Sequence, residues 1–217
     1  MKGAFLTPSI YVDSDHPSIV SLADELVGHI TDEKEKAVKL YFYVRDTFRY
    51  DPYRIDLRED ALKASDLLNR ESGYCGEKAC LLAALARAAE IPSRLGFAKV
   101  TNHIGTKRLE ELLQTNELVF HGFTELFIEN AWVKCTPAFN ATLCAKLGVD
   151  PLDFNGTDDS VFQQYDKGGA KYMEYTHFYG SFVDIPRDFM LAELKKYYPH
   201  IFEMKGLVTE NAYFLVE

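Results

Sequence analysis

The sequence predicts an α+β chain, its first two thirds reading as a helical half followed by a strand-rich half. Three observations carry this expectation. Apolar residues recur at helical spacing up to about residue 89, period-two alternation appears between Arg94 and Thr136, and an Ala- and Leu-rich segment, apolar nearly all round, lies between the two.

The elements follow in order. Pro17 to His29 carries Ile19, Leu22, Ala23 and Leu26 on one helical face. Thr31 reads as the N-cap of a second helix running to about Asp46, with Asp32 and Glu33 placed favourably for its dipole. Ala61 to Asn69 reads as a short third helix. Gly73-Tyr74-Cys75-Gly76 interrupts the pattern before Glu77 to Ala89, a strong helix former that Pro92 ends and that is expected to be central and buried. Arg94 to Thr101 and Leu118 to Ile128 read as strands, separated by a polar stretch with its own Gly turn and a helical piece. Glu129-Asn130 reads as a hairpin turn into Ala131 to Thr136, although it is not the preferred Asn-Gly type. From Asp150 to Asp184 no sustained period is visible, and a last helix is expected near Pro186, with proline at its first position. The chain is expected to be one domain over 1–217, with a core at about 17–150 and a C-terminal extension, 151–217, packing on it.

The balance of 24 Lys and Arg against 33 Asp and Glu gives a net charge of -9 over 217 residues. Without a basic cluster, the footprint of a phosphate-backbone binder is missing, so nucleic acid is not an expected partner. No apolar run approaches the roughly 18 residues that cross a bilayer, and the N-terminal apolar stretch is cut short by Thr7, Pro8 and Ser9. A soluble, cytoplasmic protein without a membrane partner is the expectation. The four cysteines show no C-x-x-C spacing, and neither a metal nor a cofactor is expected. Asp153-x-Asn155-Gly156 has a superficial likeness to a calcium loop, but its glycine comes two residues early and no Glu follows at the required offset. Sequons at Asn140 and Asn155 matter only in a secreted chain.

Cys75 has the most informative setting. It stands where a Gly-flanked loop meets a helix N-terminus, where unsatisfied N–H groups and the dipole favour an anion and lower a thiol pKa. Cys80, about 140° further round the helix, faces away from it. Cys80, Cys135 and Cys144 read as small buried hydrophobes. A thiol nucleophile needs a base, and of six histidines only His121 lies within an alternating strand. A two-residue turn at Glu129-Asn130 would pair Phe127 with Trp132, Glu125 with Lys134 and Phe123 with Thr136. One face would then carry His121, Phe123, Glu125 and Phe127 beside Trp132, Lys134 and Thr136, with Thr136 diagonal to His121 at about 7 to 8 Å. A strand histidine in that place is either a catalytic base or a residue hydrogen-bonded into the core.

These residues match a known pattern. The segment ALKASDLLNRESGYCGEKACLLAALARAAEIPSRLGFA resembles the nucleophile region of the transglutaminase-like superfamily, where a Gly-x-Cys turn opens a buried helix closing on R-A-x-x-I-P-x-R. The segment HGFTELFIENAWVKCTPAFN resembles its second block, a His-bearing strand and hairpin leading to W-V-x-x-D-P-x-F-N. Order, spacing and flanking residues agree over roughly Val38 to Asn140.

The resemblance implies a papain-like, transglutaminase-like fold with the cysteine at the start of a central helix packed on an antiparallel sheet. It implies acyl transfer through a thioester on a peptide, protein or small amide, with Cys75 as nucleophile and His121 as general base. The Cys75 N–H would supply part of an oxyanion hole. Tyr50 is considered as a side-chain donor upstream, with packing its favoured role. The pattern is broken where the family Asp falls on Thr136. A threonine hydroxyl can accept from imidazole Nδ1 but cannot stabilise an imidazolium by charge. A Cys-His pair is expected to tolerate that loss through a partly formed thiolate-imidazolium couple. Asp153 and Asp166 are the acids considered as replacements. The alternative reading is a binding module that keeps the fold and has lost turnover.

Overall fold

The computed structural model describes residues 3–103, 107–162, 166–203, 207–209 and 212–216. In chain order the elements are α1 (Pro17–Val27), α2 (Glu33–Thr47), β1 (Arg49–Tyr50), β2 (Arg54–Asp56), α3 (Ala64–Leu67), β3 (Ser72–Gly73), α4 (Cys75–Ala88), β4 (Ser93–Asn102), α5 (Lys107–Leu113), β5 (Glu117–Ile128), β6 (Ala131–Cys135), α6 (Ala141–Leu147), β7 (Met173–Phe182), α7 (Arg187–Tyr197), α8 (Pro199–Glu203), β8 (Leu207–Thr209) and β9 (Ala212–Leu215). Short 3-10 turns lie at Gly3–Phe5 and Asp60–Leu62. The α+β expectation holds. Among the described residues no helix is long and apolar enough to cross a membrane.

The largest sheet is antiparallel, in the order β6-β5-β4-β7. Helix α4 lies against β5. The Thr124 hydroxyl donates to the Ala79 carbonyl at 2.9 Å, and a Cβ on Gly122 would stand 2.9 Å from the Gly76 Cα. Two glycines therefore let strand and helix approach at the N-terminal end of α4. Every residue from Cys75 to Arg87 is buried, which is why this helix carries so much Ala and so little amphipathic pattern. A second contact fixes the same end of α4. Lys78 is fully buried, and its ammonium donates to the carbonyls of Arg45, Phe48 and Ala138 at 2.9, 2.6 and 2.8 Å. Three carbonyls matching three N–H groups tie α4 to the C-terminus of α2 and to the segment after β6.

The hairpin register runs as counted from a two-residue turn, with Phe127 opposite Trp132 and Glu125 opposite Lys134. Glu129 and Asn130 both adopt left-handed φ, 48° and 69°, the twist that a tight hairpin requires. The ladder ends at Thr124 opposite Cys135, so Thr136 does not continue it opposite Phe123. Its amide donates instead to the Ser160 carbonyl at 2.9 Å.

Four local expectations are corrected. The cap of α2 is Asp32, not Thr31, because its carboxylate accepts the Glu35 N–H at 2.7 Å. The region 61–69 is a 3-10 turn and a four-residue helix, separated by an extended Lys63. Pro186 occupies the N-cap position of α7, not its first helical one. Strand β7, ten residues inside a stretch without visible period, pairs along β4. Two register shifts opposite β4 and a φ of +130° at Gly180 break the alternation that would have revealed it.

Candidate active site

Cys75 is the first residue of α4. The short parallel pairing of β1 with β3 sets Tyr50 opposite Gly73, and the Tyr50 amide is held by Asn140 Oδ1 at 3.1 Å. The turn is fixed from within the helix: Glu77 Oε2 accepts the Tyr74 N–H at 3.0 Å, and its other oxygen pairs with Arg70 Nη1 at 2.8 Å. Cys75 is only 8% exposed. The Gly122 N–H points at its sulfur from β5, at 3.5 Å.

Its neighbour His121 sits beside an irregularity in the same strand. Ala98 pairs with His121 and Val100 with Leu118, so Val119 and Phe120 stand opposite Lys99 alone. Phe120 takes a φ of +57°, costly for a bulky residue, and is held by stacking on Tyr179 at 4.6 Å and by Phe97 at 5.1 Å. Such a bulge bends the strand and re-aims the side chains next to it. His121 lies between two cavities. It shares the larger, of about 60 Å³, with Cys75, and the smaller, of about 10 Å³, with Thr136.

Burial dominates the electrostatics of both groups. It pushes the Cys75 thiol up to about 11, against the opposing pull of the Gly122 and Gly76 amides, and it pushes His121 down to about 4. Both shifts favour the neutral thiol and the neutral imidazole and run against a partly formed ion pair, because the site is drier than a helix N-terminus alone would make it.

Thr136, 4% exposed, forms no hydrogen bond with the imidazole. Among the described residues, His121 Nδ1 and Thr136 Oγ1 are both buried without a hydrogen-bond partner. The Tyr175 hydroxyl lies close enough to Thr136 to feel it, but its hydrogen bond goes to the Val161 carbonyl at 3.5 Å. No carboxylate lines the small cavity among the described residues; its other walls include Leu152, Val161, Phe162 and Met173. Asp153 is paired with Arg45 at 2.9 Å, and Asp166 accepts the Ala170 amide of its own turn. Neither reaches His121. Asn155, of the suggested calcium loop, accepts the amides of Thr157 and Asp158. The other three thiols are buried; Cys80 donates to the Tyr11 carbonyl. Tyr50 lies beside Cys75 in the larger cavity and packs on Phe139 at 4.7 Å.

Two features of the site were not foreseen. The Gly122 amide is invisible to side-chain pattern, and the buried ammonium of Lys78 depends on carbonyls distant in sequence.

Comparison with known proteins agrees with this geometry. No curated protein matches the chain. Among solved structures, a protein from Cytophaga hutchinsonii provisionally described as a cysteine protease is similar at 19% identity with a TM-score of 0.48, over 82% of this chain and 52% of that one. The periplasmic domain of TgpA from Pseudomonas aeruginosa is similar at 22% identity with a TM-score of 0.42, over 61% of this chain and 45% of that one. The chain thus spans about half the length of either structure. The family model described as the transglutaminase-like superfamily matches residues 20–137, more than half of the chain, from within α1 to the residue after Thr136. With the cysteine opening a buried helix, the histidine on the strand beneath it and this match across both, the chain belongs to the transglutaminase-like superfamily.

Proposed function

We propose that this protein is a cysteine-dependent acyl-transfer enzyme acting on an amide in a peptide, a protein or a small molecule. The observation that carries the reading is that Cys75 and His121 line one cavity while the Gly122 N–H points at the Cys75 sulfur. His121 takes the thiol proton as the Cys75 sulfur bonds to the carbonyl carbon, and the carbonyl oxygen becomes an oxyanion near the amide at the start of α4. The C–N bond then breaks. The leaving amine receives the proton from His121, and a thioester remains on Cys75. Water or a second amine attacks that thioester, giving its proton to His121, and the thiol is restored. Thr136 lines the small cavity beside the imidazole without bonding to it, so among the described residues the reading rests on a Cys-His pair. The neutral resting state supports proton transfer concerted with attack.

The test is acylation by p-nitrophenyl acetate, followed by nitrophenolate release and by the mass of the Cys75 peptide. A single acetyl group on Cys75 is expected, absent in Cys75→Ala and slowed by about 100-fold or more in His121→Ala, the usual effect of removing a general base. Acetylation at the same rate with His121 replaced would sink the proposed pairing.

A further inference from the structure

The cavity above Cys75 has a composition that the reaction itself does not require. Its walls come from both halves of the chain, and those outside the family-matched segment are Met190, Leu194, Tyr198 and Phe214. Leu109 and Leu113 of α5, Ile55 of β2 and Leu57 just after it also line the cavity. Among the described residues lining it there is no Asp, Glu, Lys or Arg. The Tyr198 hydroxyl is already engaged, accepting the Val119 N–H and donating to the Glu117 carbonyl, each at 2.8 Å. A charged or strongly polar group entering here would lose its hydration and meet no charge in return.

We infer that the acyl donor carries an apolar group beside its reacting carbonyl, a short aliphatic chain or a small ring, seated between α5 and α7 with the carbonyl over Cys75. This rests on the acyl-transfer reading of the same site. About 60 Å³ of cavity, where one water needs about 10 to 15 Å³, suits roughly four to six heavy atoms. Specificity would then be built in part by the segment beyond the family match. The thiol and imidazole form the one reactive end of an otherwise greasy slot, which is the usual construction of a small-molecule site.

The experiment compares acylation of Cys75 by p-nitrophenyl acetate, butyrate, hexanoate and hemisuccinate, each normalised to its reaction with a free thiol. Butyrate is expected to react about ten-fold or more faster than acetate, in line with burial of two further methylene groups, and the anionic hemisuccinate slower than acetate. Met190→Phe should lower the butyrate-to-acetate rate ratio several-fold, with circular dichroism showing that the variant is folded, and an unchanged ratio would count against the inference. Equal rates for all four esters, or hemisuccinate matching butyrate, would overturn the inference and leave the nucleophile assignment standing. If no ester acylates Cys75, the enzymatic reading fails and binding decides the pocket separately. N-methylhexanamide should then raise the melting temperature and N-methylacetamide should not; failure of the hexanamide to do so overturns the pocket assignment as well.

Discussion

The protonation state of the Cys75–His121 pair gives the sharpest test. Moving the thiol proton onto the imidazole takes it from a group near 11 to one near 4. At about 1.36 kcal/mol for each tenfold step, that separation costs about 9 to 10 kcal/mol. Attraction between the resulting charges, even at contact and with an effective dielectric near 20, returns about 4 kcal/mol. The ion pair is then disfavoured by about 5 kcal/mol, a population on the order of one in ten thousand. A thiol held near 11 instead of its ordinary 9 also carries about 100-fold less thiolate at pH 7. Iodoacetamide should therefore alkylate Cys75 at least about 100-fold more slowly than a free thiol at pH 7. The logarithm of the rate should rise linearly between pH 6 and 9.5 without a plateau, and His121→Ala should leave the profile almost unchanged. The assay is quantitation of the carbamidomethylated Cys75 peptide by mass spectrometry. A plateau between pH 5 and 8 that disappears in His121→Ala would refute the reasoning, since it would report a thiolate stabilised by imidazolium at rest. Ester acylation, by contrast, should depend strongly on His121, because there the imidazole acts during attack.

Other expectations follow from the same contacts. Thr136→Asp places a carboxylate where His121 Nδ1 lacks a partner, so His121 should rise from about 4 towards its ordinary value and the acetylation rate at pH 7 should increase about ten-fold or more; an unchanged rate in a folded variant would show that the carboxylate does not reach the ring. Lys78→Met leaves the carbonyls of Arg45, Phe48 and Ala138 without their donor and should cost about 3 to 5 kcal/mol in urea denaturation; a loss under about 1 kcal/mol would mean that the carbonyls find other partners. His121 protonates near 4 when folded and near 6.5 when unfolded, so its contribution of about 3 kcal/mol is present above pH 6.5 and is lost as pH falls towards 4. Glu77, raised by burial to about 7, acts in the opposite sense between about 4.5 and 7, so His121→Phe against the unaltered protein is the comparison that isolates the histidine.

The legible parts of the molecule were those written locally. A glycine-flanked turn running straight into an alanine-rich helix announces a buried helix with an exposed dipole end, and Cys75 stands there. The β5–β6 register could be counted outward from a two-residue turn, because each pair follows from the one before. That counting stopped being valid at Cys135, where Ser160, twenty-five residues on, captures the next amide. Strand β7 was missed for a related reason: two shifts against β4 scramble its alternation, and they are decided by the partner strand. Lys78 resisted reading because a lysine's burial depends on carbonyls from two distant segments, while its own neighbours predict only helix.

The bulge before His121 shows most clearly where such reading ends. A plain alternating strand would still place His121 and Gly122 on opposite faces, as any two consecutive residues are. The extra residue at Val119-Phe120 bends β5 where those faces meet the start of α4. Gly122 can then direct its amide at the Cys75 sulfur, while His121 reaches the cavities of both Cys75 and Thr136. Two consecutive residues set an N–H against one thiol and an imidazole in the cavity beside it, and the absence of a Cβ on Gly122 lets the Gly76 backbone approach. Phe120 carries the backbone cost of this arrangement, and Tyr179, contributed by the strand that the sequence concealed, stacks on its ring. The reactive pair is thus positioned partly by the segment beyond the family-matched core, the same segment whose apolar side chains close the cavity above the thiol.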